Sequence, residues 1–280
     1  GTGNVALSFP SAMTYTASST ITSVITFTST ANATQTVTTG GKSLGNTTFN
    51  GSSTWQLADT LTVGSLATLT LTKGTLDTNG QAVSFGAFNS NNSNTRTLTL
   101  GSSIISCATT GTVWIINATG MTFNANTSSL NFTQLTTFTG GGLTYNNVTL
   151  TGNGNNPTIS DSNTFANLTA TSTASKTSNT LKLGGNQTIT GTLNISGNSA
   201  INRMIIKSDT LGTPRTLNAA TIVTKWADYQ DITAAGAANW DLTAQVTNSS
   251  GDAGGETGIT FTTAAPQYYQ TAVSDSWSTA

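Results

Sequence analysis

The chain of 280 residues contains no histidine. That excludes Ser-His-Asp and Cys-His catalysis, the usual histidine zinc sites and the commonest general base near neutral pH. Charge is also scarce. Only 7% of residues are charged, whereas an ordinary globular domain has about a quarter. The nine Lys and Arg are scattered singly and the net charge is −1. With no basic stripe, a nucleic-acid partner is not expected. The single cysteine, Cys107, rules out an internal disulfide, and its expected place is that of a small buried hydrophobe rather than a reactive thiol. Four prolines argue against a Pro-rich linker. Apolar runs such as Val113–Ile116 fall far short of the roughly 20 residues a spanning helix needs, so membrane insertion is not expected.

Threonine, serine, asparagine and glycine fill the space that charge leaves. Thr, Val and Ile favour strands because a branched Cβ packs well on a pleated surface. Short alternating segments recur: Thr68-Leu69-Thr70-Leu71-Thr72, Thr97-Leu98-Thr99-Leu100, Val148-Thr149-Leu150-Thr151. A period of two places Leu, Ile and Phe on one face and Thr on the other. Clusters such as Gly40-Gly41, Asn79-Gly80 and Gly140-Gly141-Gly142 punctuate them as turns. Two all-β folds accommodate this pattern, a parallel β-helix (β-solenoid) or a tandem of β-sandwiches. The solenoid is preferred because the pattern runs for most of the chain without a break, and because Asn recurs at turns where stacked side chains can form ladders. Roughly 20 to 25 residues per coil and about ten coils are expected.

Four segments follow. Residues 1–41 read as an N-terminal cap or assembly arm, 42–220 as the solenoid body, 221–262 as the last coils and a C-terminal cap, and 263–280 as a tail or the start of a further module. Six of the ten acidic residues lie from Asp228 onward. The alanines around Gly236 are expected in a loop or short turn, since the glycine interrupts any helix.

Few groups could carry chemistry. Asp228 and Asp231 are three residues apart, and Asp252 and Glu256 four. A glycosidase needs two carboxyls about 5 to 10 Å apart in a cleft, and so few acids make an enzyme unexpected. Asp228 and Asp231 could pair with Lys225 instead. Asp241, Asp252 and Glu256 are weak calcium candidates, the alternative being a solvated cap loop. No other cofactor is expected. Trp55 and Trp114 sit in apolar runs and read as core. Trp240 and Trp277 have polar neighbours and are weak candidates for glycan or partner contact. The Asn-x-Ser/Thr triplets follow from the abundance of Asn and Thr and are not read as glycosylation sites.

The phrases "SSTWQLADTLTVGSLATLTLTKGTLDTNGQAV", "FTGGGLTYNNVTLTG", "DYQDITAAGAANWDL" and "GDAGGETGITFTT" resemble a group of right-handed β-helix proteins among tailed-phage virion proteins and environmental bacterial surface proteins. The resemblance covers about Ser52 to Thr263. It implies a right-handed parallel β-helix outside the cell or on a virion, and carries no catalytic residues. Relatives often have cysteine in the "GDxGG" phrase, where this chain has Ala253. The ending "DSWSTA" resembles the start of a further Trp-Ser module, which implies a longer gene product. The expected function is therefore structural: a fibre, spike or filament subunit that partners itself as a homo-oligomer or filament. The alternative is a receptor- or glycan-binding adhesin module with a cell-surface glycan as partner. An ice-binding solenoid ranks lower, because the Thr-x-Thr segments are irregularly spaced along the sequence. A polysaccharide lyase ranks lowest.

Overall fold

The computed structural model describes residues 7–15, 21–152, 156–173, 179–243 and 250–261. They form a parallel β-solenoid of about ten turns, with no helix. Every strand pairing among the described residues is parallel, which removes the β-sandwich alternative, an antiparallel architecture.

Each coil has three sides. The first is a path of twelve neighbouring strands from Leu7–Phe9 to Gly251–Asp252. The third is a ten-stranded sheet from Ser43–Leu44 to Ile232–Ala235. Between them lies the second side. In the N-terminal half it comprises Met13–Thr14, Thr34–Thr38, the ends of the long strands Thr47–Leu57 and Thr68–Asp77, Arg96–Thr99 and Met121–Asn124. Thr47–Leu57 turns the corner itself: Phe49 pairs with Phe27 on the first side, and Trp55 with Gln35 on the second. In the C-terminal half Thr144–Gly152, Thr164–Ser172, Gln187–Ser196 and Arg215–Lys225 turn the next corner, between the second and third sides.

Coil length varies, while the parallel pairing persists, with register shifts only at local bulges such as Gly111–Trp114 and Phe165–Leu168. Leu7 pairs with Ile25, 18 residues on, and Phe88 with Trp114, 26 residues on. The turns absorb the difference, because a bulging loop leaves the strand ladder on either side intact. The first sheet crosses residue 41 without a break, pairing Ile25–Phe27 with 47–49, and Arg215–Lys225 runs straight through 220–221. Ala234 and Ala235 belong to a strand, and only Gly236, at φ +91°, leaves it. The expected loop therefore starts two residues later than the alanines alone suggest, because Ala234 pairs with Leu217 on the coil before.

The core is a set of vertical columns. Phe9, Phe27 and Phe49 stack at 5.6 and 4.5 Å between ring centroids. Phe88, Trp114 and Phe138 stack at 4.5 and 6.3 Å. Each such side chain contributes roughly 1.5–3 kcal/mol by leaving water, and stacking adds about 0.5–1.5 kcal/mol per pair. The void among Leu69, Leu98 and Trp114 is only about 10 Å³. The interior there is filled, with no lumen for a ligand.

Candidate functional site

Most polar groups with chemical potential are spent holding coil to coil. Asp59 accepts from the N–H groups of Thr39 (2.8 Å) and Gly40 (2.7 Å) on the preceding coil. Asp161 accepts from Gly141 N–H at 2.9 Å, and Asp231 from Gly212 N–H at 3.0 Å. All three glycines have φ between +63° and +72°, a conformation that side chains resist. The same device thus recurs three times: a left-handed glycine in a turn, stapled by an aspartate from the coil above.

Arg96 is the group that sequence reasoning missed. It is 1% exposed, on the inner face of Arg96–Thr99. Its Nε donates to Ser90 Oγ, its Nη1 to the carbonyls of Asn94 and Thr119, and its Nη2 to those of Ser90 and Asn117. All five guanidinium donors are used, with no carboxylate among the partners. Burial lowers its pKa from the ordinary arginine value. The room comes from Ser90, which stands in the column where neighbouring coils have Phe49, Leu71 and Ile116. The arginine plugs the core; no donor is left for an anion. Parity was the available signal: position 96 shares the inward face with Leu98 and Leu100, both buried.

The expected site residues are not assembled. Asp252 and Glu256 share the N–H of Gly254, at 2.8 and 3.1 Å. Desolvation and the hydrogen bond to Asp252 push the Glu256 carboxyl up to about 7. Asp252 is lowered by its hydrogen bonds from Glu256 and Gly254. Asp241 instead accepts from the backbone and hydroxyl of Thr243 (3.0 and 2.6 Å). Among the described residues no three acids gather where a metal could be held, so the trio Asp241, Asp252 and Glu256 is not a single calcium cage.

Trp240 is buried at 7% exposure, its Nε1 donating to Ala235 O at 3.0 Å. It shares the inward face with Leu242, which its polar neighbours concealed, and is not a surface platform for a sugar. Trp277 lies outside the described residues. Trp55 and Trp114 are core as expected. Cys107 is buried, donates to Gly86 O at 3.0 Å, and has its pKa raised by burial, all marks of an unreactive thiol. Asp228 pairs with Arg203 through both oxygens (2.6 and 2.7 Å), not with Lys225. Lys225 lies 3.9 Å over the ring of Trp226.

The outward faces carry the larger surprise. On the second side Thr34, Thr54, Thr75, Thr97 and Thr122 pair in unbroken register, one per coil. Beside them run Thr36, Gln56, Asp77, Thr99 and Asn124. Further along, Thr144, Thr164 and Thr188 form a paired column of their own. Sequence spacing concealed this, since the turns between these threonines differ in length. The third side shows Ser43, Thr62, Ser84, Ser106, Asn131, Thr149, Thr169 and Asn194 in one column. An asparagine pair stacks on this side too, within strands rather than at the turns where a ladder was expected: Asn167 donates to Asn147 at 2.9 Å. Residues 97–160 contain no charged residue.

Comparison with protein-family models, curated proteins and solved structures finds no match.

Proposed function

We propose that the chain is a non-enzymatic structural protein, a stiff rod segment of a fibre, spike or filament on a virion or cell surface, that associates with copies of itself. The observation that carries this reading is the unbroken parallel ladder from Leu7 to Asp252, clad in uncharged Thr, Ser and Asn columns. Backbone groups satisfied along the whole rod make it resist bending. The uncharged outer faces of residues 97–160 weaken the electrostatic repulsion that keeps charged subunits apart. The aspartates and the buried arginine serve the staples and the plug, which suits a scaffold.

Light scattering of the purified protein, with electron microscopy of the same sample, tests the reading. Trimers, rings or filaments are expected. A monomer at every accessible concentration contradicts self-association.

The threonine column favours a second reading, binding to an ordered lattice such as ice. Its hydroxyls repeat at the strand spacing of about 4.8 Å, and five lie in one file. Thermal hysteresis in a freezing assay is the expected signature, and Thr75→Lys with Thr97→Lys should abolish it. Freezing indistinguishable from a buffer control contradicts it.

A further inference from the structure

The first side of the C-terminal coils carries a charge arrangement found nowhere else among the described strand pairs. Lys182 and Lys207 stand directly opposite each other on adjacent strands, at the same register position. Both point outward, between the buried residues Leu181 and Leu183 on one strand and Ile206 and Ser208 on the other. Neighbouring strands lie about 4.8 Å apart, and like charges so placed are destabilising. The neighbours in this column are Thr158 on one side and Gln230 on the other.

The nearby carboxylates do not relieve the pair. Asp228 is held by Arg203 at 2.6 and 2.7 Å, and Asp209 by Arg215 at 2.8 Å. Arginine's fork outcompetes lysine for a carboxylate. Among the described residues these are the two salt bridges. Arg203 and Arg215 thus occupy Asp228 and Asp209, while the other acids described at this end, Asp231, Asp241, Asp252 and Glu256, accept from backbone or hydroxyl groups. Ile205, 36% exposed, adds an apolar surface in the next column.

We infer that the Lys182–Lys207 pair, with Thr158, Gln230 and Ile205 around it, is a binding site for an anionic polysaccharide. Two ammonium groups one strand apart offer charge-assisted hydrogen bonds to a carboxylate or sulfate. The flanking hydroxyl and amide suit sugar hydroxyls, and Ile205 suits the apolar edge of a sugar ring. The repulsion stored in the free protein is released when an anion bridges the two lysines, so the arrangement favours the bound state.

The test uses the full chain and immobilised alginate, a polymer of uronic acids, at low salt. Retention on alginate but not on neutral dextran is expected, and it should weaken as salt rises. Lys182→Gln with Lys207→Gln should bind about tenfold or more weakly. Lys42→Gln with Lys73→Gln should bind as the wild type does. Lys207→Gln alone should melt no lower than the wild type when free, and alginate should raise the melting temperature of the wild type but not of the double variant. Full binding by the double variant overturns the site. No retention of the wild type, or equal retention on single-stranded DNA, overturns the polysaccharide assignment. Retention is read on monomer or assembly alike, so failure here leaves the rod reading standing.

Discussion

The middle of the rod and its C-terminal end solve one problem by different means. Residues 97–160 carry no charged side chain of their own, and only Arg96 and Asp161 at their borders reach in, to the backbone of Asn117, Thr119 and Gly141. Stacked aromatics fill these coils, and neutral hydroxyls and amides line them. Coils from Arg203 onward use ion pairs, Arg203 with Asp228 and Arg215 with Asp209, and a carboxyl pair, Asp252 with Glu256. A middle coil has a neighbour on both sides and can rely on burial. In the coils from Arg203 onward charged groups take over part of the joining. The stability of the middle should therefore answer to packing, and that of the end to salt and pH.

The largest effect should come from the middle. Trp114 meets the rings of Phe85, Phe88, Phe132, Phe138 and Tyr145, and its Nε1 donates to Tyr145 Oη at 3.1 Å. Trp114→Ala should cost about 3–5 kcal/mol in denaturant unfolding. Arg96→Met comes next, because it strips partners from the carbonyls of Ser90, Asn94, Asn117 and Thr119; a loss of at least about 2 kcal/mol is expected. If Arg96→Met were neutral, the plug would be dispensable and the contrast between neutral middle and charged end would sharpen further. Removing a staple with Asp231→Ala should cost about 1–2 kcal/mol, read as a lower melting temperature.

The end coils should show smaller effects that depend on conditions. Arg203→Gln should cost no more than about 1 kcal/mol, with the difference from wild type shrinking as salt is added. The smallest effect concerns Glu256. Its carboxyl is raised in the folded state, so folding favours the protonated form. The contribution is complete at pH values below the ordinary glutamate range and is lost as pH rises toward 7. Corrected for the intrinsic rise of amide exchange with pH, protection around Gly254 should fall over that window, and in Glu256→Gln it should stay level. Protection that rises over the window would refute the carboxyl–carboxylate contact.

The sequence disclosed the parts that obey local parity. Leu69 and Leu71 are buried with Thr70 between them, and Trp55 and Trp114, expected in the core from their apolar runs, are buried too. What it concealed is long-range in sequence and close in space. Asp228 finds Arg203, 25 residues back, rather than its near neighbour Lys225. Arg96 passed unnoticed among the scattered cations and Trp240 was read by its polar neighbours, where parity with Leu98 and Leu242 turns both inward. The threonine file on the second side was invisible because turns of unequal length scatter in sequence what the strand ladder aligns in space.

The most direct test of this account is peptide-resolved hydrogen exchange at low and high salt. The account predicts that peptides within 97–160 are strongly protected and unchanged by salt, while those within 203–261 exchange faster as salt screens their ion pairs. Middle coils that lose protection with salt, or exchange faster than the end, would contradict it.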